Sequence, residues 1–161
     1  MIILFGLLFT ICMTAFWGLL ITGSEGGRFL IYINMSSLLI IIIPVLFYFL
    51  VTKSVETVRR YIISSFKRGY TFKAAELESL AKAMQGARNV IIAAGVFGFF
   101  GGIIAILTSL SVPEEIGPNF AVAMITVHYA VSAGYFIFYP TQMWAEAKVK
   151  ALREEAAAEQ Q

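Results

Sequence analysis

The 161-residue chain contains no aspartate, one cysteine (Cys12), one histidine (His128) and four prolines. Without aspartate, the usual catalytic triads and the common magnesium sites cannot be assembled. A lone Cys12 closes no disulfide within the chain, and inside an apolar run it reads as a small packed side chain. No Cys/His cluster has metal-site spacing, so no metal and no other cofactor is expected. The spans described below offer no nucleophile, base and oxyanion group together, which makes an enzyme the least favoured reading. Charge is scarce as well: 14% of the residues are charged against 59% hydrophobic, and the mean hydropathy is +0.81. Such values exclude an ordinary soluble domain and point to a membrane protein.

A helix crosses the hydrocarbon with roughly 20 mostly apolar residues. Four stretches qualify, about Ile2–Thr22, Ile33–Thr52, Val90–Leu110 and Phe120–Met143, and none contains Asp, Glu, Lys or Arg. The first begins at Met1 without a basic leader and ends at "ITGSEGGRF" without a small-residue cleavage site, which favours a retained helix over a signal peptide. Pro44 in the second span reads as a kink. Trp17, Tyr32, Tyr48 and Trp144 lie near span ends, where aromatic residues anchor helices at the interface.

Positive charge is one-sided. Between the second and third spans sit Lys53, Arg59, Arg60, Lys67, Arg68, Lys73, Lys82 and Arg88, and the tail adds Lys148, Lys150 and Arg153; the other loops hold only Arg28. The positive-inside rule then makes both termini and the central loop cytoplasmic. This distribution also accounts for the basic balance without nucleic acid as a partner.

The expected fold is therefore an all-α membrane protein of four transmembrane helices. Residues 1–52 hold helices 1 and 2, 53–88 a short basic cytoplasmic helical segment, 89–143 helices 3 and 4, and 144–161 a cytoplasmic helical tail. Within 53–88, "KSVETVRRYIISSFKR" and "FKAAELESLAKAMQGAR" read as two helical pieces broken at Gly69. Val55, Val58, Ile62 and Phe66 share one face of the first piece. Two uses fit it: rest on anionic headgroups, or a docking surface for a cytoplasmic partner. Between helices 3 and 4, "SVPEEIGPNF" suggests a short external helical turn that Pro113 starts, Glu114 and Glu115 favour, and Gly117–Pro118 stops.

Gly95, Gly98 and Gly102 form small faces on the third span that let backbones approach closely in lipid. On the fourth, Ala123, Thr126, Ala130 and Ala133 fall within about 80° of one another at 100° per residue. Such helices can pack tightly or line a narrow passage together.

Several stretches resemble the MotA/TolQ/ExbB proton-channel superfamily, with the MotA branch nearest in span count. They are the glycines at Gly95, Gly98 and Gly102, the turn "PEEIGPNFAVAMIT", the closing "YFIFYP" and the upstream "YINMSSLLIIII". The resemblance implies a homopentamer in the bacterial inner membrane, its third and fourth helices surrounding two copies of a single-span MotB-, TolR- or ExbD-like partner. The partner's Asp would carry the proton, and ion flow would move the two components against each other. Thr126 matches the fourth-helix threonine and would face the ion pathway. Phe99 stands where many members carry a hydroxyl and would narrow that pathway, and Ile92 stands where the family has a proline. Pro140 matches the proline at the cytoplasmic end of helix 4, and Gly117 and Pro118 match the external turn. The large cytoplasmic domain of flagellar stators is reduced here to about Lys53–Arg88. A scaffold that keeps the pentameric packing without conducting ions is the alternative.

His128 sits in the fourth span. Taking Thr126 as zero, His128, Ser132, Tyr135 and Tyr139 fall at about 200°, 240°, 180° and 220°, a polar stripe pointing away from Thr126. An imidazole there either hydrogen-bonds a residue such as Thr10, Thr14, Ser36 or Ser37 on another span, or relays protons.

Overall fold

The structure is a computed structural model that describes residues 6–12, 15, 34–66, 71–108 and 110–159. Most of the first expected span lies outside these residues, as do Thr14, Trp17, Arg28, Tyr32 and the expected break at Gly69. Residues 6–12 are helical. Five longer helices follow: α1 (Met35–Val51), α2 (Val55–Phe66), α3 (Ala74–Thr108), α4 (Pro113–Ala133) and α5 (Tyr139–Ala158). A π-helical turn, Gly134–Phe138, joins α4 to α5. No strand occurs among the described residues.

Among the described residues two helices are long and apolar enough to cross a membrane: α3, and the continuous 46-residue rod from Pro113 to Ala158. A third is reached if α1 and α2, bent by 105°, count as one broken span. With 35 residues, α3 is about 52 Å long, enough to cross a ~30 Å hydrocarbon layer and project beyond it. Its projecting part is the second expected "cytoplasmic piece", which is fused to the span rather than separate from it. Gly86, at the join, does not break the helix; its missing side chain makes room for the Tyr48 ring, whose Cε2 would lie 2.9 Å from a Cβ at that position.

The corner between α1 and α2 has a local cause. Ser54 N–H donates to the Phe49 carbonyl and Lys53 N–H to the Leu50 carbonyl, the paired bonds that close a Schellman motif. Lys53 takes the left-handed position (φ 54°) where glycine is usual. Pro44 leaves α1 continuous from Met35 to Val51.

Two clusters hold the helices. At the charge-rich end, Tyr61, Leu77, Leu80, Met84, Ala145 and Val149 form a core outside the apolar runs, and each large side chain buried from water there contributes about 1.5–3 kcal/mol. Arg153 pairs with Glu78 across α5 and α3 at the same end. Within the apolar runs, Ile41, Val45, Ala87, Ile91, Ala94 and Ala130 pack together, where close fit replaces the hydrophobic drive.

Two expectations are corrected. Gly117 and Pro118 do not end a turn, because α4 runs through both. Pro118 lacks the N–H for the Glu114 carbonyl, but that carbonyl lies in the exposed first turn, and Gly117 has no Cβ to clash with the proline ring. On α2, Tyr61 and Ser64 are buried, while Val55 and Ile62, on the expected apolar face, are exposed. Cys12 is exposed on the chain rather than packed inside it.

Candidate functional site

The small faces expected on α3 and α4 meet each other. A side chain at Gly95 would run into Ala130, one at Gly102 into Ala123, and one at Gly98 into Thr126 Cγ2 at 2.6 Å and Ile40 Cγ2 at 3.0 Å. Each glycine faces a small residue one turn along the partner, so the backbones close together over two turns.

Thr126 is fully buried where α1 joins this pair. Its Oγ1 donates to Ser37 Oγ at 2.9 Å, and the Ser37 hydroxyl donates in turn to the Val122 carbonyl at 3.2 Å. The Thr126 oxygen also lies 2.8 Å from that carbonyl. Ser37 N–H donates to Asn34 Oδ1 at 2.9 Å, which caps α1, and Asn34 N–H donates to the Tyr129 hydroxyl at 3.2 Å. Asn34, Ser37, Thr126 and Tyr129 thus form an uncharged polar seam tying α1 to α4. Within the chain, the Thr126 hydroxyl faces Ser37 and not an open surface.

The other candidate positions are dispersed. Phe99 is half-buried and stacks edge-on to Phe100 at 6.0 Å. Pro113 opens α4, with Glu114 and Glu115 in its first turn. His128 is half-buried beside Tyr129, with ring centroids 6.4 Å apart, and the Ser37 hydroxyl is engaged by Thr126 and Val122.

The polar stripe does not persist as one face. Ser132 is buried, whereas Tyr135 and Tyr139 are exposed. Tyr139 N–H bonds back to the Gly134 carbonyl, a five-residue step that inserts an extra residue and turns everything after it by about 100°. Pro140 helps explain the bulge, since it lacks the N–H that the Phe136 carbonyl would accept in an α-helix. Gly6 lies against that carbonyl, and Ile92 packs on Gly134, with Cδ1 3.0 Å from where a Cβ would stand. Arg88 stacks over the Tyr139 ring at 5.1 Å.

Asn34 and Tyr129 were missed as members of the seam. The signal for Asn34 was present: Asn just before an apolar helical run is a preferred N-cap residue. Tyr48 and Trp144, expected as interfacial anchors, take part in packing: Tyr48 fills the space at Gly86, and Trp144 stacks with Tyr61 at 5.5 Å and Phe72 at 5.9 Å. Among the described residues no group of His, Cys, Asp or Glu is arranged to hold a metal ion.

Among the described residues, fold and seam together define an all-helical protein with two to three helices fit to span a membrane, α3 joined to α4 by glycine contacts and α1 to α4 by a buried hydroxyl pair. Comparison with family models, curated proteins and solved structures returns no match for this chain.

Proposed function

We propose that the chain is a MotA-like stator subunit of the bacterial inner membrane. In this reading five copies surround two copies of a single-span partner and convert proton-motive force into movement. The observation that carries it is the α3–α4 pair, because the stretch that resembles the family, Gly95 to Pro140, is the stretch whose glycines lock two helices backbone to backbone. A pair locked in this way moves as one wall, as a ring subunit must to transmit motion.

No Asp, Glu, Lys or Arg lies in 90–108 or 120–143. The proton-binding carboxylate in this reading therefore belongs to the partner. On the outer face of α3, Phe97, Phe100 and Ile104 are exposed around Gly101, which has nothing within 4 Å of its Cβ position among the described residues. That notch suits the close approach of another helix.

The non-conducting scaffold is favoured by a different observation, the engagement of the Thr126 hydroxyl by Ser37 inside the chain. Conduction past Thr126 requires that contact to open. Affinity purification in mild detergent, with every small co-purifying membrane protein identified, separates the readings. A single-span protein with an intramembrane Asp supports the stator; an intact ring without one supports the scaffold.

A further inference from the structure

The outward face of α2 is built for a different contact. Tyr61 and Ser64 face the bundle, with Tyr61 stacked on Trp144 and Phe72. Arg60 reaches Glu76 at 3.9 Å, near the start of α3 and about 21 Å of helix before its apolar run begins at Val90. That edge of α2 points away from the spans. At 100° per residue, Val55 and Ile62 lie about 140–160° from Arg60, on the edge nearer the membrane, with Arg59 about 40° from Val55. Val55 and Ile62 are 45% and 43% exposed, and Ile63 beside Arg59 is 44% exposed.

Direction agrees with this placement. The corner at Lys53 turns α2 by 105° from the axis of α1, so an α1 set along the membrane normal leaves α2 about 15° from the membrane plane. Residues 53–68 carry five basic side chains against one acid, Glu56. The face toward the bilayer is thus apolar with Arg59 at its edge, a guanidinium that also pairs with Glu56 at 3.3 Å, while Arg60 lies on the opposite edge.

We propose that α2 is an interfacial helix that binds anionic phospholipid, with Val55 and Ile62 at the headgroup–acyl boundary and Arg59 and Lys53 on the lipid phosphates. The occupant is lipid because the exposed apolar residues lie on the edge nearer the spans, and because the charge complements an anionic leaflet. The assignment is independent of whether the chain conducts ions.

The test attaches a fluorophore at Ile62→Cys in a Cys12→Ser background of the full chain, reconstituted in vesicles. Quenching by brominated phosphatidylglycerol is compared with quenching by brominated phosphatidylcholine. The same fluorophore at Ala75→Cys, exposed on α3, serves as the aqueous control. Expected is stronger quenching by the anionic lipid at position 62 and none at 75. Arg59→Gln should lower the relative association of the anionic lipid roughly fivefold, and Arg59→Lys should retain it. Absence of quenching at position 62 by either lipid would place the face in water or under protein and overturn the proposal. Equal quenching by both lipids, unchanged in Arg59→Gln, would overturn the anionic assignment.

Discussion

Replacing Gly98 with alanine tests the α3–α4 contact at the point where it also meets Ile40 of α1 and the threonine bonded to Ser37. The new methyl would stand 2.6 Å from Thr126 Cγ2 and 3.0 Å from Ile40 Cγ2. Neither neighbour yields easily: both side chains are β-branched, and rotating Thr126 breaks its bond to Ser37. Overpacking of this kind costs about 1–3 kcal/mol, while Gly→Ala in a helix interior returns about 1 kcal/mol of propensity. The net expectation is a loss of up to about 2 kcal/mol. Gly101→Ala, one turn away with open space around it, should instead gain about 0.5–1 kcal/mol. The second half of the test is Thr126→Ser, which removes Cγ2 and keeps the hydroxyl. In the Gly98→Ala background it should recover more than half of the loss, giving a coupling of about 1 kcal/mol in the double-mutant cycle. Reversible unfolding in mixed micelles measures all four variants. Equal stability of Gly98→Ala and Gly101→Ala, or strict additivity with Thr126→Ser, would refute the packing.

Other outcomes follow from the same geometry. Thr126→Val and Ser37→Ala should each cost about 0.6 kcal/mol and at most ~1.7 kcal/mol in micelle unfolding, with the double variant costing less than the sum; additive losses would mean that the two hydroxyls do not bond across the seam. Lys53→Gly relieves a left-handed backbone and should stabilise the α1–α2 corner by about 1 kcal/mol, read as slower amide exchange at residues 53 and 54; faster exchange would contradict the Schellman geometry. Glu56 has its carboxyl held below the ordinary value of 4.5 by the hydrogen bond from Arg60. Its contribution to α2 is therefore present above that value and is lost as pH falls through the lowered folded value. Amide exchange in α2 should rise across that acid window in the parent, and the rise should vanish in Glu56→Gln.

The long helices and the small faces were legible because a single rule, 100° per residue, holds without interruption from Gly95 to Gly102 and from Ala123 to Ala130. It fails where one residue is inserted: the π-turn at Gly134–Phe138 separates Ser132 from Tyr135 and Tyr139, and no composition marks it beforehand except Pro140. Pro118 misled because a proline stops a helix interior but is tolerated near the start, and the sequence does not mark how far α4 extends. In α2 the apolar period puts Val55, Val58 and Ile62 on one face, but Tyr61 and Ser64 are the residues that turn inward, a tertiary fact the period does not carry. The polar seam depends on α1 lying beside α4, a tertiary fact that only the weak capping signal at Asn34 touches. In the proposed reading, oligomer and partner decide the function.

The most direct measurement is therefore a count of subunits in the particle extracted into nanodiscs, by native mass spectrometry or electron cryomicroscopy. The account predicts five copies of this chain around two copies of an Asp-bearing single-span protein, with α3 and α4 lining the centre. A monomer, or a ring of any other number, would contradict it.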